Sequence, residues 1–149
     1  MINIRKLNDS NSQVEFADML SEVNIYETLS GYDKSRADVT VECDYYNTIK
    51  VLDNKLVYTG DGYKHYINLD DLTVVTFKKY SSGFDANSET AYLYDTFSSY
   101  NSERAVEVEY FGRVEEIIFG MNKFIVLEDN QYVHLINTNK LSVVVIKNI

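Results

Sequence analysis

Two histidines are all this chain has, His65 and His134, and each sits in nearly the same local string, "YKHYIN" and "YVHLIN". Imidazole titrates near neutral pH and ligates metals, so a matched pair raises proton transfer or a metal centre as candidate chemistry. Either use needs partners. Strand alternation puts His65 on a face with Tyr63 and Ile67, and His134 on a face with Tyr132 and Ile136; no second histidine or cysteine stands at ligand spacing. The expected role of both is structural, and no metal or cofactor is expected.

Carboxylate pairs offer a second chemistry. Glu115-Glu116, Asp70-Asp71 and Glu128-Asp129 invite glycosidase-like or metal-assisted hydrolysis. Neighbours along a strand project to opposite faces, however, so adjacency alone does not make two carboxylates converge. The string "LEDNQY" lacks the ligand spacing of a calcium loop, and phosphate-loop, dinucleotide-loop, nucleophile-elbow, HExxH and CxxC patterns are all missing. Cys43 is the only cysteine, falls in an expected strand away from any histidine, and can form no internal disulfide. No enzyme is expected.

Binding chemistry has more to work with. Thirteen tyrosines often stand beside acids, as in Asp44-Tyr45-Tyr46, Tyr26-Glu27, Tyr94-Asp95 and Glu109-Tyr110. Tyrosine supplies apolar area and a hydroxyl at low entropic cost, which favours it at recognition surfaces. The candidate anchors are Tyr45 and Tyr110, with Glu107, Glu109, Glu115 and Glu116 as a steering cluster. Tyr26 and Tyr94 belong to a shared run, Tyr-acid-Thr-x-Ser-x-Tyr, at Tyr26–Tyr32 and Tyr94–Tyr100.

That shared run is one part of a longer self-similarity. Tyr63–Tyr80 and Tyr132–Ile149 match at eight of eighteen positions without a gap. "NKLVYTGD" from Asn54 follows "NKFIVLED" from Asn122 after a one-residue slip, and "VECDYY" from Val41 lies over "VEVEYF" from Val106. The period is about 68 residues, which implies a duplicated unit with copies at residues 1–80 and 81–149, packed as one pseudo-twofold body.

Within each copy, alternation and Asn/Asp/Gly turns predict antiparallel strands near 37–46, 48–52, 55–59, 63–68 and 72–79, and near 105–111, 114–119, 123–127, 131–136 and 141–147. "LTVVTF" and "LSVVVI" are apolar on both faces, the pattern of central strands. A helix is predicted over 13–29, capped by Ser12 with Glu15 completing a capping box, its apolar face at Phe16, Met19, Leu20, Val23 and Tyr26, and Gly31 as its stop. The second copy's helix, over 84–99, should be short or lost. The fold class is α+β, mostly antiparallel β.

Fourteen basic against twenty-three acidic residues give a net charge of −9. Both halves share it: residues 1–80 carry nine basic and thirteen acidic groups, and residues 81–149 carry five and ten. This repels nucleic acid and anionic membranes and attracts basic surfaces. No apolar run reaches the roughly 20 residues of a membrane helix, and "MINIRKLNDSNSQVEF" lacks a secretory core, so a cytoplasmic protein is expected. These features point to a non-catalytic acidic protein that occludes a basic surface of a nucleic-acid-binding protein or nuclease, as a nucleic-acid mimic of phage anti-defence or immunity type does. The alternatives are a structural module that dimerises or oligomerises with itself through strand edges, and a small-molecule binder or enzyme with a cleft near the histidines.

Overall fold

The computed structural model describes residues 4–6, 13–16, 20–42, 49–52, 54–60, 62–79, 87–119 and 121–147. Its first half runs β1 (Ile4–Lys6), β2 (Gln13–Phe16), β3 (Leu20–Tyr26), α1 (Leu29–Asp33), β4 (Val39–Glu42), β5 (Ile49–Leu52), β6 (Lys55–Gly60), β7 (Tyr63–Asn68) and β8 (Val74–Lys79). The second half runs β9 (Glu89–Tyr94), α2 (Phe97–Asn101), β10 (Val106–Phe119), β11 (Asn122–Glu128), β12 (Tyr132–Asn137) and β13 (Val143–Val145). Short 3-10 turns, Leu69–Asp71 and Thr138–Lys140, precede β8 and β13. All strand pairing among the described residues is antiparallel, and the mostly β character follows the sequence pattern.

Two sheets result, β1-β2-β5-β6-β7 and β13-β9-β10-β11-β12-β8-β3-β4. Alternation sends Val75 and Phe77 of β8 to one core and Val74 to another. The first core joins Leu56 and Tyr58 of β6 to Val23, Ile25, Val75, Phe77, Val133 and Leu135. On the opposite face, Val74, Ile125, Leu127 and Ile136 pack with Ala91, Leu93, Val108 and Tyr110 of β9 and β10. The molecule is thus three-layered, with β11, β12, β8 and β3 in the middle. One long strand makes this possible. At β10, Gly112 adopts φ 77° and the register with β11 shifts between Phe111 and Glu115, so the strand pairs β9 with its first part and β11 with its second. The two strands predicted at 105–111 and 114–119 are this single bulged one.

The helix predicted over 13–29 is not formed. Its described residues form β2, β3 and the bend at Glu27 and Thr28, and only Leu29 is helical, as the first residue of the five-residue α1. Apolar residues at 23, 25 and 26 fit period two as well as period 3.6, and β-branched Val23 and Ile25 gain a buried face against Val75 and Phe77 as a strand. Thr28 is the N-cap of α1, its hydroxyl accepting from Gly31 N at 3.0 Å, while the expected cap Ser12 lies outside the described residues. Gly31 lies inside α1, and the left-handed residue after it is Ser35 at φ 55°.

The same pairings occur in both halves. β4-β3-β8 has the same connectivity as the first part of β10 with β9 and β13, and β5-β6-β7 the same as the second part of β10 with β11 and β12. Thr96 caps α2 through Ser99 N as Thr28 caps α1, and Glu103 takes φ 56° where Ser35 takes 55°. The ladders correct two local alignments. Lys55 faces Asn68 as Phe124 faces Asn137, and Val39 faces Ile25 as Val106 faces Leu93, so the slip at Asn54 and the placing of Val41 over Val106 are not kept. The expected twofold relation is not what the pairing shows. β8 pairs β12, and a twofold axis would also pair their counterparts, β13 and β7; among the described residues those two are sheet edges instead. The "VVTF" run is accordingly a central strand, whereas "VVV" of β13 is not.

Candidate functional site

The turn between β11 and β12 organises the most developed polar site. Asp129 Oδ1 accepts from Gln131 N at 2.8 Å and Tyr132 N at 2.6 Å, which shapes the turn. Its other oxygen, Oδ2, accepts from His134 Nε2 at 2.8 Å. A carboxylate only accepts, so the imidazole proton sits on Nε2 and leaves Nδ1 to accept from the Tyr32 hydroxyl, 2.7 Å away. Tyr32 comes from α1, and its ring meets Tyr26 and His134 edge-on at 5.3 and 5.8 Å. Lys79 braces the turn from behind by pairing with Glu128 and donating to Asp129 O at 2.9 Å.

The order carboxylate, imidazole, hydroxyl resembles a proton relay. Burial, followed by the Asp129 and Tyr26 charges, pushes the Tyr32 hydroxyl well above its ordinary value, so it donates to His134 as a protonated phenol. At Asp129 partial burial pushes upward, yet hydrogen bonds from His134 and from the Tyr132 and Gln131 amides together hold the carboxyl below the usual range. Both nitrogens of His134 are engaged, and the triad holds Tyr32 in place. His65, by contrast, stacks on Tyr58 with centroids 4.8 Å apart and lies away from this site. A cleft lined by both histidines is not found among the described residues.

Two adjoining grooves, of about 470 and 440 Å³, share Tyr32, Glu107, Tyr132 and His134 in their walls. Their carboxylates are Glu22, Asp33, Glu107, Glu109 and Asp129, and among the described residues no lysine or arginine lines either one. Among the described residues no three His, Cys, Asp or Glu side chains converge as a metal site would need.

Of the residues singled out in the sequence, Glu107 and Glu109 are exposed, on one face of β10, and line the groove. Glu115 is half-buried, and Glu116 pairs with Lys123 at 3.3 Å; neither lines these grooves. Tyr110 is fully buried in the second core and cannot be a surface anchor, because β10 turns its Val106, Val108 and Tyr110 side inward. Tyr26 is buried and Tyr94 half-buried, while Tyr45 lies outside the described residues. Tyr32, Asp129 and Tyr132 were missed as site residues. Asp129 and His134 were close enough in sequence to read as a hairpin pair, but the contact from Tyr32 to His134 spans 102 positions and carries no local signal.

A second polar cluster ties the halves together. Buried Asn137 donates through Nδ2 to Leu69 O at 3.3 Å, Leu72 O at 3.2 Å and Asn122 Oδ1 at 3.3 Å. Asn122 in turn donates to Asn54 and Asp70, whose carboxyl is held low by these asparagines, Asn122 first. This is a joint, already satisfied internally. No helix of the described residues is long and apolar enough to cross a membrane. Comparison with protein-family models, with curated proteins and with solved structures finds no match to this chain.

Proposed function

We propose that this is a non-catalytic binding protein whose acidic groove receives a basic segment of another protein, and that it acts in the cytoplasm by covering a surface that otherwise meets nucleic acid. The observation that carries this reading is the groove itself: five carboxylates, three tyrosines and no lining cation. A lysine- or arginine-rich partner would find both charge and aromatic surface there, and arginine stacks on such rings. In the same reading, residues 1–80 and 81–149 descend from one duplicated unit, and the groove opened where the copies met.

An arginine-rich peptide is the direct probe, followed over a salt series. Raising salt from 0.1 to 1 M shortens the Debye length from about 10 to about 3 Å, so affinity should fall steeply. The double variant Glu107→Lys, Glu109→Lys should mainly slow association, and Tyr132→Ala should mainly speed dissociation, by about tenfold or more. Binding that ignores salt and both variants would leave the charge with a solubility role and end this proposal.

A further inference from the structure

The two free sheet edges match a contact the chain already makes with itself. β8 and β12 pair in the register Tyr132 to Lys78, Leu135 to Val75 and Ile136 to Val74. By ladder position, β13 is the counterpart of β8 and β7 the counterpart of β12. Among the described residues neither has a partner on its outer side. Unpaired edges are templates for another strand.

An independent observation comes from the side chains around those edges. Leu29 of α1 is 5% exposed and Leu135 of β12 is fully buried, because the other half covers them. Their counterparts Phe97 and Tyr66 are 67% and 58% exposed, and Tyr100, which corresponds to Tyr32, is 46% exposed. So the first half shows uncovered the β7 side that the second half buries in β12, and the second half shows uncovered the helix side that the first half buries.

We propose that a second copy of this chain fills both gaps, β13 of one copy pairing antiparallel with β7 of the next. Carrying the internal register over puts Val144 opposite Tyr66 and Val143 opposite Ile67, and brings Tyr100 toward His65 as Tyr32 meets His134. The contact is head-to-tail, so it propagates into a ring or a filament rather than stopping at a symmetric dimer. It is independent of the acidic-groove reading, since it uses neither Glu107 nor Glu109.

The test uses the full chain and complementation. A head-blocked variant, Tyr66→Lys with Ile67→Pro, and a tail-blocked variant, Phe97→Glu with Val144→Pro, are followed by sedimentation velocity. The unaltered chain should sediment faster as concentration rises, and each blocked variant should stay monomeric. Mixed together, they should give a one-to-one dimer, because each retains the edge the other lacks; that result also shows both are folded. In a Cys43→Ser background, Tyr66→Cys with Val144→Cys should cross-link between chains under mild oxidation, and Tyr66→Cys with Val143→Cys should not. An unaltered chain that stays monomeric up to about 1 mM, near the weakest affinity worth counting, would overturn the proposal. So would self-association that survives both blocks, or cross-linking that ignores register.

Discussion

β8 and β13 begin almost identically in sequence, "LTVVTF" against "LSVVVI", and end in opposite environments. β8 is held on both sides, by β3 and β12, with Val74, Val75 and Phe77 fully buried. β13 is held by β9 alone, is three residues long, and leaves Val143 and Val144 half-buried and Val145 exposed. Intrinsic preference is the same for both. What differs is whether the next half of the molecule is present to pair with them, and the same contrast separates β12 from β7 and α1 from α2.

Substitutions at matched places should magnify that contrast. The largest effect is expected for ion pairs. Lys79 and Glu128 are paired almost out of solvent, so Lys79→Met should cost about 3–5 kcal/mol by taking the paired cation from a buried carboxylate. Lys147 and Glu89, paired at 3.1 Å in the open, should lose at most about 1 kcal/mol when Lys147 is changed likewise. Urea unfolding of both variants compares them directly; equal losses would mean that the buried pair is not closed from water.

The helix residues follow. Leu29→Ala should cost about 2–4 kcal/mol because it opens a cavity in the second core. Phe97→Ala in dilute protein should change stability by less than about 0.5 kcal/mol, since its side chain packs on little. A large loss at Phe97 would show that its face is covered in solution.

Next come the paired asparagines. Asn137→Ala removes three buried hydrogen bonds, two of which cross between the halves, and about 1–3 kcal/mol should be lost. Asn68→Ala removes one exposed turn bond to Asp70 N, 3.3 Å long, and about 1 kcal/mol or less should be lost. Both are read from the same unfolding curves.

The smallest effect is a pH dependence at Asp129. Its folded pKa is depressed, so the stabilisation is present above its ordinary carboxylate pKa and is lost as pH falls through the lower folded value. Melting temperature should therefore drop in acid more steeply for the unaltered chain than for Asp129→Asn. Parallel curves would remove Asp129 from any role in acid stability.

Local chemistry was legible wherever a residue's surroundings come from its own neighbours. β7 was expected at 63–68 and is found at Tyr63–Asn68, because alternation and the flanking Gly62 and Asn68 lie within the strand and its turns. β6, β11 and β12 came within two residues for the same reason. The helix over 13–29 failed because Val23 and Tyr26 suit a helical face while Val23 and Ile25 suit a strand face, and only the buried surface offered by Val75 and Phe77 chooses between them. Tyr110 was misplaced as an anchor for a similar reason: the acids at 107 and 109 mark a strand that alternates, not which side faces out.

The sequence by itself determined an acidic, tyrosine-rich, mostly antiparallel β chain whose two halves repeat a pattern, since charge, alternation and self-similarity are properties of the string. Tertiary structure alone decided which copy of each pattern is interior. It set Tyr32 against His134 across 102 positions, placed Glu107 and Glu109 on a groove wall while leaving Glu115 and Glu116 off it, and made β8 a central strand and β13 an edge. The physical reason is that burial belongs to a pairing of surfaces. Equal strands are worth different amounts of buried area when only one of them has a neighbour on each side.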